Sequence, residues 1–188
     1  MTTDEDENLL VLLVQTGDTA AFEKLLPRLY DQLRAYVVKL VGGSLADDVL
    51  QEVALRVFQN IKHLRETRAF RPWAYRIATR LAFACLRHEA RSKLYKANFH
   101  EMSSTSPCQW TNENEPESEL LSMVDRLSPA SRAVLLLHYQ QNLSIEESAA
   151  ILDIPVGTAK SRLAYGIRKL RDFIKEKNEY DHCRSRAT

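Results

Sequence analysis

Glycine is scarce in this chain, five in 188 residues. That argues against a hairpin-rich β architecture, whose tight turns lean on glycine for positive φ. Cysteine is scarce as well. Cys85, Cys108 and Cys183 are odd in number, far apart and without CxxC spacing, which argues against a disulfide framework or a cysteine zinc site. Cys85 falls on an expected helix and is read as packing, the other two as free surface thiols. No apolar run approaches the roughly 18 residues that a membrane span needs. The opening acids Asp4, Glu5, Asp6 and Glu7 carry the wrong charge for a secretory leader. The expectation is a cytoplasmic protein with no membrane insertion. GxSxG, HExxH and P-loop patterns are missing too, so no catalytic residue, metal or cofactor is expected and the chain is not read as an enzyme.

What is present is helical in character. A hydrophobic fraction of 45% and a charged fraction of 27% belong to a soluble globular chain, long enough for one ordinary domain or two small ones. Abundant Leu, Ala, Arg and Glu favour helix. The net charge of +1 hides an uneven distribution. Residues 65–96 hold nine Arg or Lys against two Glu, and residues 156–177 hold seven against two acids. The compensating acid sits at the N-terminus and in residues 47–52 and 113–125. Two basic blocks separated by an acidic one fit two anion-binding surfaces, or simply two solvated helix faces.

The expected fold class is all-α, two small helical domains joined by a flexible linker. Residues 97–117 carry Ser103-Ser104-Thr105-Ser106-Pro107 and Asn112-Glu113-Asn114-Glu115-Pro116 without an apolar period, and read as that linker. The expected domains are 1–96 and 118–178, with a tail over 179–188.

In the first domain, Leu9 to Leu13 fit a short helix ending before Gly17. Phe22, Leu25, Leu26, Leu29, Leu33, Tyr36, Val37 and Leu40 keep a helical stripe, with a kink or restart expected at Pro27 and a stop at Gly42-Gly43. Ser44 is a candidate cap for the next helix. There Val49, Leu50, Val53, Ala54, Val57, Phe58 and Ile61 share one face, and Asp47, Asp48, Gln51, Glu52, Arg56 and Gln59 the other. Leu55 falls inside that polar face. An apolar anchor with a charged rim has the anatomy of a docking surface, although single exposed leucines are common. A third helix is expected from Pro72, with Trp73, Ile77, Leu81 and Cys85 inward beside Ala74 and Ala78. Arg76, Arg80, Arg87 and Arg91 recur on a neighbouring flank with Phe83 between them. An arginine ridge beside aromatic rings suits phosphate contacts and stacking of unpaired bases, or else it is a solvated ridge over a core tryptophan.

The most specific local pattern lies in the second domain. Ser128-Pro129 opens a helix expected through Gln140, with Val134, Leu135, Leu137 and Tyr139 as support. Ser144 and Glu147 form a capping box for a helix through Leu152, and Asp153-Ile154-Pro155 stops it. A longer helix follows, with Val156, Ala159, Leu163, Ile167, Leu170 and Ile174 on one face. Thr158, Ser161, Tyr165 and Arg168 lie on the other, flanked by Lys160, Arg162 and Lys169. Short helix, tight turn and basic second helix describe a helix-turn-helix, whose second helix can enter a major groove. An ordinary helical hairpin with a basic side is the alternative.

These segments resemble a known family. Asp47-Asp48-Val49-Leu50-Gln51-Glu52-Val53 and Phe70-Arg71-Pro72-Trp73-Ala74-Tyr75-Arg76-Ile77-Ala78 resemble region 2 of extracytoplasmic-function sigma factors. Leu127-Ser128-Pro129, Leu143-Ser144-Ile145-Glu146-Glu147 and Ile154-Pro155-Val156-Gly157-Thr158-Ala159-Lys160-Ser161-Arg162-Leu163 resemble their region 4. The resemblance implies an alternative sigma factor that binds core RNA polymerase and directs promoter-specific initiation. It implies docking of the β′ clamp through Asp47, Asp48, Gln51, Glu52 and Leu55. It implies capture of the −10 strand by residues 63–71 and the following helix, with Arg71, Trp73, Arg76, Arg80, Phe83 and Arg87. It implies reading of −35 duplex through Thr158, Lys160, Ser161, Arg162, Tyr165, Arg168 and Lys169, with the second domain also on the β flap. Promoter DNA and core polymerase are thus the expected partners, and an anti-sigma factor is a candidate that no single residue specifies. Arg80 stands where the family usually has Asn, Cys85 where it has Asp, and Tyr165-Gly166-Ile167 where it favours Arg-Ala-Arg. Gly166 in a helix interior carries a penalty of roughly 1 kcal/mol against Ala.

Two rivals remain. A stand-alone helix-turn-helix regulator leaves the acidic face and arginine ridge without a task. A metal enzyme built on Asp47, Asp48 and Glu52 meets the difficulty that Asp47 and Glu52 lie about 140° apart on the helix, with no histidine to join them.

Overall fold

The computed structural model describes residues 3–99 and 123–185, with side chains over 5–93 and 123–177. Among these residues all regular structure is helical. The chain divides into two compact units, residues 1–101 and 102–188. Most of the expected linker, with Cys108, lies outside the described residues; its first three positions, 97–99, are helical rather than irregular.

The first unit contains α1 (Thr3–Gln15), α2 (Thr19–Val41), α3 (Gly43–Asn60) and α4 (Phe70–Phe99), with 3₁₀ turns at Ile61–His63 and Thr67–Ala69 between the last two. Asp18 caps α2, its Oδ1 accepting from the Ala21 amide at 3.1 Å. The buried stripe of α2 is Ala21, Leu25, Leu29, Leu33, Tyr36, Val37, Leu40 and Val41, close to the expected one. Pro27 does not restart this helix, which runs through it. Leu25 and Leu29, buried on either side, contribute packing that offsets the lost hydrogen bond. Gly42, at φ +88°, turns the chain from α2 into α3, a conformation that glycine adopts without the strain of a Cβ. It also occupies the cap position, so Ser44, the expected cap, sits inside the first turn of α3 and makes no capping bond.

α3 and α4 differ in how well the helical wheel foretells them. Val49, Leu50, Val53, Val57 and Ile61 are buried as expected, while Phe58 is 50% exposed and meets Phe22 with ring centroids 4.9 Å apart and planes tilted by 59°. α4 starts at Phe70, two residues before Pro72, which stays within the first turn where its missing amide costs nothing. Its buried stripe is Ala74, Tyr75, Ala78, Thr79 and Ala82. Trp73, Ile77, Leu81 and Cys85, expected inward, are only half-buried. The physical reason is the alanine row: three small side chains at i, i+4 and i+8 let α4 lie close against α2 and α3, turning the larger apolar row aside.

A polar thread runs through this core. Tyr36 and Tyr75 meet edge to face at 5.5 Å. Thr79 donates its hydroxyl hydrogen to the Tyr75 carbonyl at 2.7 Å, so Tyr36, 2.8 Å from Thr79 Oγ1, is the donor in that pair. Tyr75 Oη donates to the Gln32 carbonyl at 3.0 Å. Burial pushes the Tyr36 phenol well above its ordinary pKa and raises Tyr75 to about 12, nearby Arg71 opposing part of the latter shift.

The second unit contains α5 (Pro129–Leu135), a π turn over Leu136–Gln140, α6 (Ile145–Leu152) and α7 (Val156–Ser185). Ser128 caps α5 as its side chain accepts from Ser131 N. The helix expected through Gln140 widens into the π turn. Tyr139, expected to support the motif, is 58% exposed. Arg132 is tucked under residues 123–127, donating to the carbonyls of Val124, Asp125 and Leu127 and pairing with the Asp125 carboxylate at 3.3 Å. Burial lowers its pKa, and Asp125 counters this. The backbone of α7 runs on to Ser185, through part of the expected tail.

Candidate nucleic-acid and docking interfaces

The outer face of α3 is acidic with an apolar centre. Asp47, Asp48 and Gln51 are exposed, Glu52 is half-buried, and Leu55 is 50% exposed among them. Burying Val53 and Val57 forces Leu55 outward, because successive residues on a helix point about 100° apart. Asp47 accepts a hydrogen bond from Tyr30 at 3.2 Å, and Glu52 holds Arg56 at 2.7 Å one turn on. Sequence reasoning missed Phe58, which is as exposed as Leu55 and lies one turn from it, so the apolar centre is larger than expected. Its aromatic neighbour Phe22 comes from another helix, and no local pattern signals the pair. Cys85 of α4 is raised in pKa by burial first and then by the carboxylates of Glu89 and Asp48. No group of three or more metal-ligating side chains occurs among the described residues, so Asp47, Asp48 and Glu52 do not converge.

On the edge between α3 and α4 lies a groove of about 430 Å³ lined by Arg56, Asn60, His63, Trp73, Ile77, Arg80 and Leu81. The half-buried row of α4 forms its apolar floor, and Arg56, His63 and Arg80 supply basic groups at its walls. Of the expected −10 residues, the structure brings Trp73 and Arg80 together here. Arg76 lies one turn before Arg80 and is half-buried, and Arg87 is exposed further along the same ridge. Phe83 is half-buried and does not line the groove. Arg71 is placed differently. Its guanidinium makes a two-pronged contact with Glu7 of α1, Nε to Oε1 at 2.9 Å and Nη2 to Oε2 at 3.1 Å. Asn60, the last residue of α3, was missed; His63 opens the expected 63–71 segment, and the turn after α3 brings it to the groove beside Trp73.

In the second unit, Ser144 and Glu147 form the expected capping box, amide to side chain in both directions at 3.1 and 2.8 Å. Asp153, at φ +56°, closes α6, and the Pro155 carbonyl accepts from the amides of Thr158 and Ala159 to open α7. Val134, Ala149 and Ala159 form the small core, with Ile145, Leu152, Ile154 and Leu163 around it. α7 is rotated slightly from its expected orientation. Lys160, Ser161, Ala164, Tyr165, Arg168 and Arg171 face outward, whereas Thr158, Arg162 and Lys169 are half-buried on the flanks. Gly166 is buried, and a Cβ there would meet Leu127 and Leu135 at 3.7 Å, an ordinary contact distance. Lys160 reaches Glu146 of α6 at 3.9 Å, and Arg168 stands 5.8 Å over the Tyr165 ring.

Both units match family models in the order the geometry gives them. Residues 21–92 match Sigma-70 region 2, and residues 117–170 match Sigma-70, region 4. The sigma-E factor of Haemophilus influenzae is 28% identical over 91% of this chain and 94% of its own length. SigW of Bacillus subtilis is 28% identical over 87% of this chain and 94% of its own. The chain belongs to the extracytoplasmic-function sigma factors. It is accordingly a transcription initiation factor of the DNA-binding, RNA polymerase-associated kind. The sigma-E factor of Escherichia coli K12, 29% identical over 84% of this chain and 88% of its own, agrees. Among solved structures, CnrH in complex with the cytosolic domain of CnrY has a TM-score of 0.66 at 21% identity, covering 91% of this chain and 98% of that one. The sigma factor RpoE of Bartonella quintana, in complex with the anti-sigma factor NepR, has a TM-score of 0.67 at 19% identity, covering 82% and 96%. At such identities these two speak for the fold alone. No helix of the described residues is long and apolar enough to cross a membrane.

Proposed function

We propose that this sigma factor divides its work among three surfaces. The acidic face of α3, Asp47, Asp48, Gln51 and Glu52 around Leu55 and Phe58, docks the clamp of the polymerase β′ subunit. The groove between α3 and α4 takes an unpaired base of the −10 strand against Trp73, while Arg76, Arg80 and Arg87 neutralise its phosphates. The outward face of α7, with Lys160, Ser161, Tyr165, Arg168 and Arg171, enters the major groove of the −35 duplex; Thr158, Arg162 and Lys169 sit where they contact its flanking phosphates. The second unit also docks the β flap. Arg71 is held by Glu7, outside the residues that line the groove, and serves the first unit as a structural ion pair.

The observation that carries this reading is the arrangement on α3. One edge of the helix offers carboxylates around an exposed leucine, and Arg56 and Asn60 from its end enter a basic, aromatic groove. A protein partner and a nucleic acid thus find separate surfaces on one rigid element. Binding energy gained in the groove offsets the few kcal/mol needed to unstack a base. Tethering the units raises the effective concentration of the second once the first has bound. An anti-sigma factor, the kind of partner with which the RpoE of Bartonella quintana was solved, is a further proposed partner of this chain.

Run-off transcription with bacterial core polymerase on a genomic promoter library tests the reading. Promoter-selective transcripts are expected with the wild-type chain, and loss of core association with Asp48→Lys/Glu52→Lys. Selective, tight promoter binding by the free chain, indifferent to core polymerase, would refute it and favour a stand-alone regulator.

A further inference from the structure

The loop between α3 and α4 is held from outside by a helix that takes no part in the three surfaces. Gln15, the last residue of α1, donates both hydrogens of its amide: to the Ile61 carbonyl at 2.9 Å and to the Leu64 carbonyl at 2.7 Å. These carbonyls bracket Lys62 and His63, and His63 is a wall of the groove. At the other end of the loop, Glu7 receives the two-pronged contact of Arg71. Glu7 is 6% exposed, a burial that a carboxylate tolerates only when paired, and Gln32 of α2 donates to it as well at 3.3 Å. Ile61 and Phe70 are buried at the two ends of the loop. Residues 62, 63, 65, 66 and 68 between these anchors are exposed.

We infer that α1 is a positioning element for strand capture: Gln15 and Glu7 clamp both ends of the loop over residues 61–71 and so set His63 against Trp73 and Arg80. The inference rests on the functional reading above. Gln15 and Glu7 touch neither DNA nor polymerase in this scheme; they act through the loop. Their sequence separation from their partners, 46, 49 and 64 residues, makes the clamp a property of the folded unit. Removing the amide donors leaves two part-buried carbonyls to find other partners, and the bracketed turn loosens. Docking by α3 needs neither contact.

The test uses the full chain with bacterial core polymerase and a fork template whose −10 strand is unpaired. Gln15→Leu keeps the side-chain bulk without donors and should weaken capture of the fork roughly tenfold, the worth of two hydrogen bonds. Core affinity should stay near wild type, while the thermal midpoint of the first unit should fall by several degrees, because the same two hydrogen bonds are lost from the folded chain. Gln15→Lys, with three donors on a long side chain, should recover most of the loss. Glu7→Gln should weaken capture in the same direction. Tryptic cleavage after Lys62, Arg65 and Arg68 should quicken in Gln15→Leu and return towards wild type in Gln15→Lys, reporting the clamp independently of DNA. Unchanged fork capture in Gln15→Leu overturns the inference, as does a parallel loss of core binding, which marks a merely structural role. Failure of the wild-type holoenzyme to capture the fork strikes at the functional reading instead, and the cleavage pattern separates the two failures.

Discussion

Leu55 and Val57 lie two residues apart on α3 and should fail in opposite assays. Leu55 is 50% exposed and Val57 fully buried. Burying a whole leucine side chain is worth about 1.5–3 kcal/mol, and half of that side chain is already out of water, so docking gains about 1 kcal/mol from the rest. Leu55→Ala should therefore weaken core polymerase binding roughly fivefold, with a stability loss of about 0.5 kcal/mol. Val57→Ala removes two buried methyl groups and leaves a cavity, a cost of about 1–2.5 kcal/mol in folding. Its affinity for core polymerase should stay within twofold. Phe58→Ala should resemble Leu55→Ala, with some added instability from losing the Phe22 contact. Leu55→Asp should exceed Leu55→Ala, because it places a further carboxylate where the apolar anchor must be desolvated. Anisotropy titration of labelled chain with core polymerase, beside thermal unfolding of each variant, gives both numbers. If Leu55→Ala binds like wild type, or if Val57→Ala loses as much affinity, the exposed leucine is not an anchor and the docking face has been misread.

Three further outcomes follow from the geometry. Gly166→Ala should stabilise the second unit by about 0.5–1 kcal/mol, a rise of a few degrees in its melting temperature, since the new methyl meets Leu127 and Leu135 at ordinary contact distance and removes the glycine penalty. Arg162→Ala and Lys169→Ala should each flatten the log–log salt dependence of duplex binding by about one, measured by titration at several salt concentrations. Stability of the first unit should fall on the alkaline side. Tyr36 and Tyr75 are neutral when folded and carry raised pKa values, so their contribution is complete below pH 10 and drains away as pH climbs through about 12; chemical denaturation across pH 9–12 should show it, with Tyr75→Phe losing less.

Each feature legible in the amino-acid order depends on residues within a turn or two of one another. The capping box of Ser144 and Glu147 closes over three residues, and Pro155 ends α6 through a clash with its immediate neighbour. Leu55 is turned outward by the period of its own helix. Region 2 and region 4 patterns are likewise strings of near neighbours. Gly166 was legible only as a cost. What surrounds it, Leu127 and Leu135 at ordinary contact distance from an added Cβ, lies more than thirty residues away, so only the fold shows that an alanine would fit.

The sequence by itself determined an all-helical chain, a helix-turn-helix, an acidic face with a leucine in it, and two basic blocks. Local propensity, capping and period suffice for these. Tertiary structure alone decided which of two apolar rows on α4 is core. Alanines 74, 78 and 82 went in, because close helix packing rewards small side chains, and Trp73, Ile77 and Leu81 were left to floor a groove. It also decided that Arg71 meets Glu7 and that Gln15 reaches two loop carbonyls. Such contacts join side chains far apart along the chain, and only the packed fold fixes who stands opposite whom.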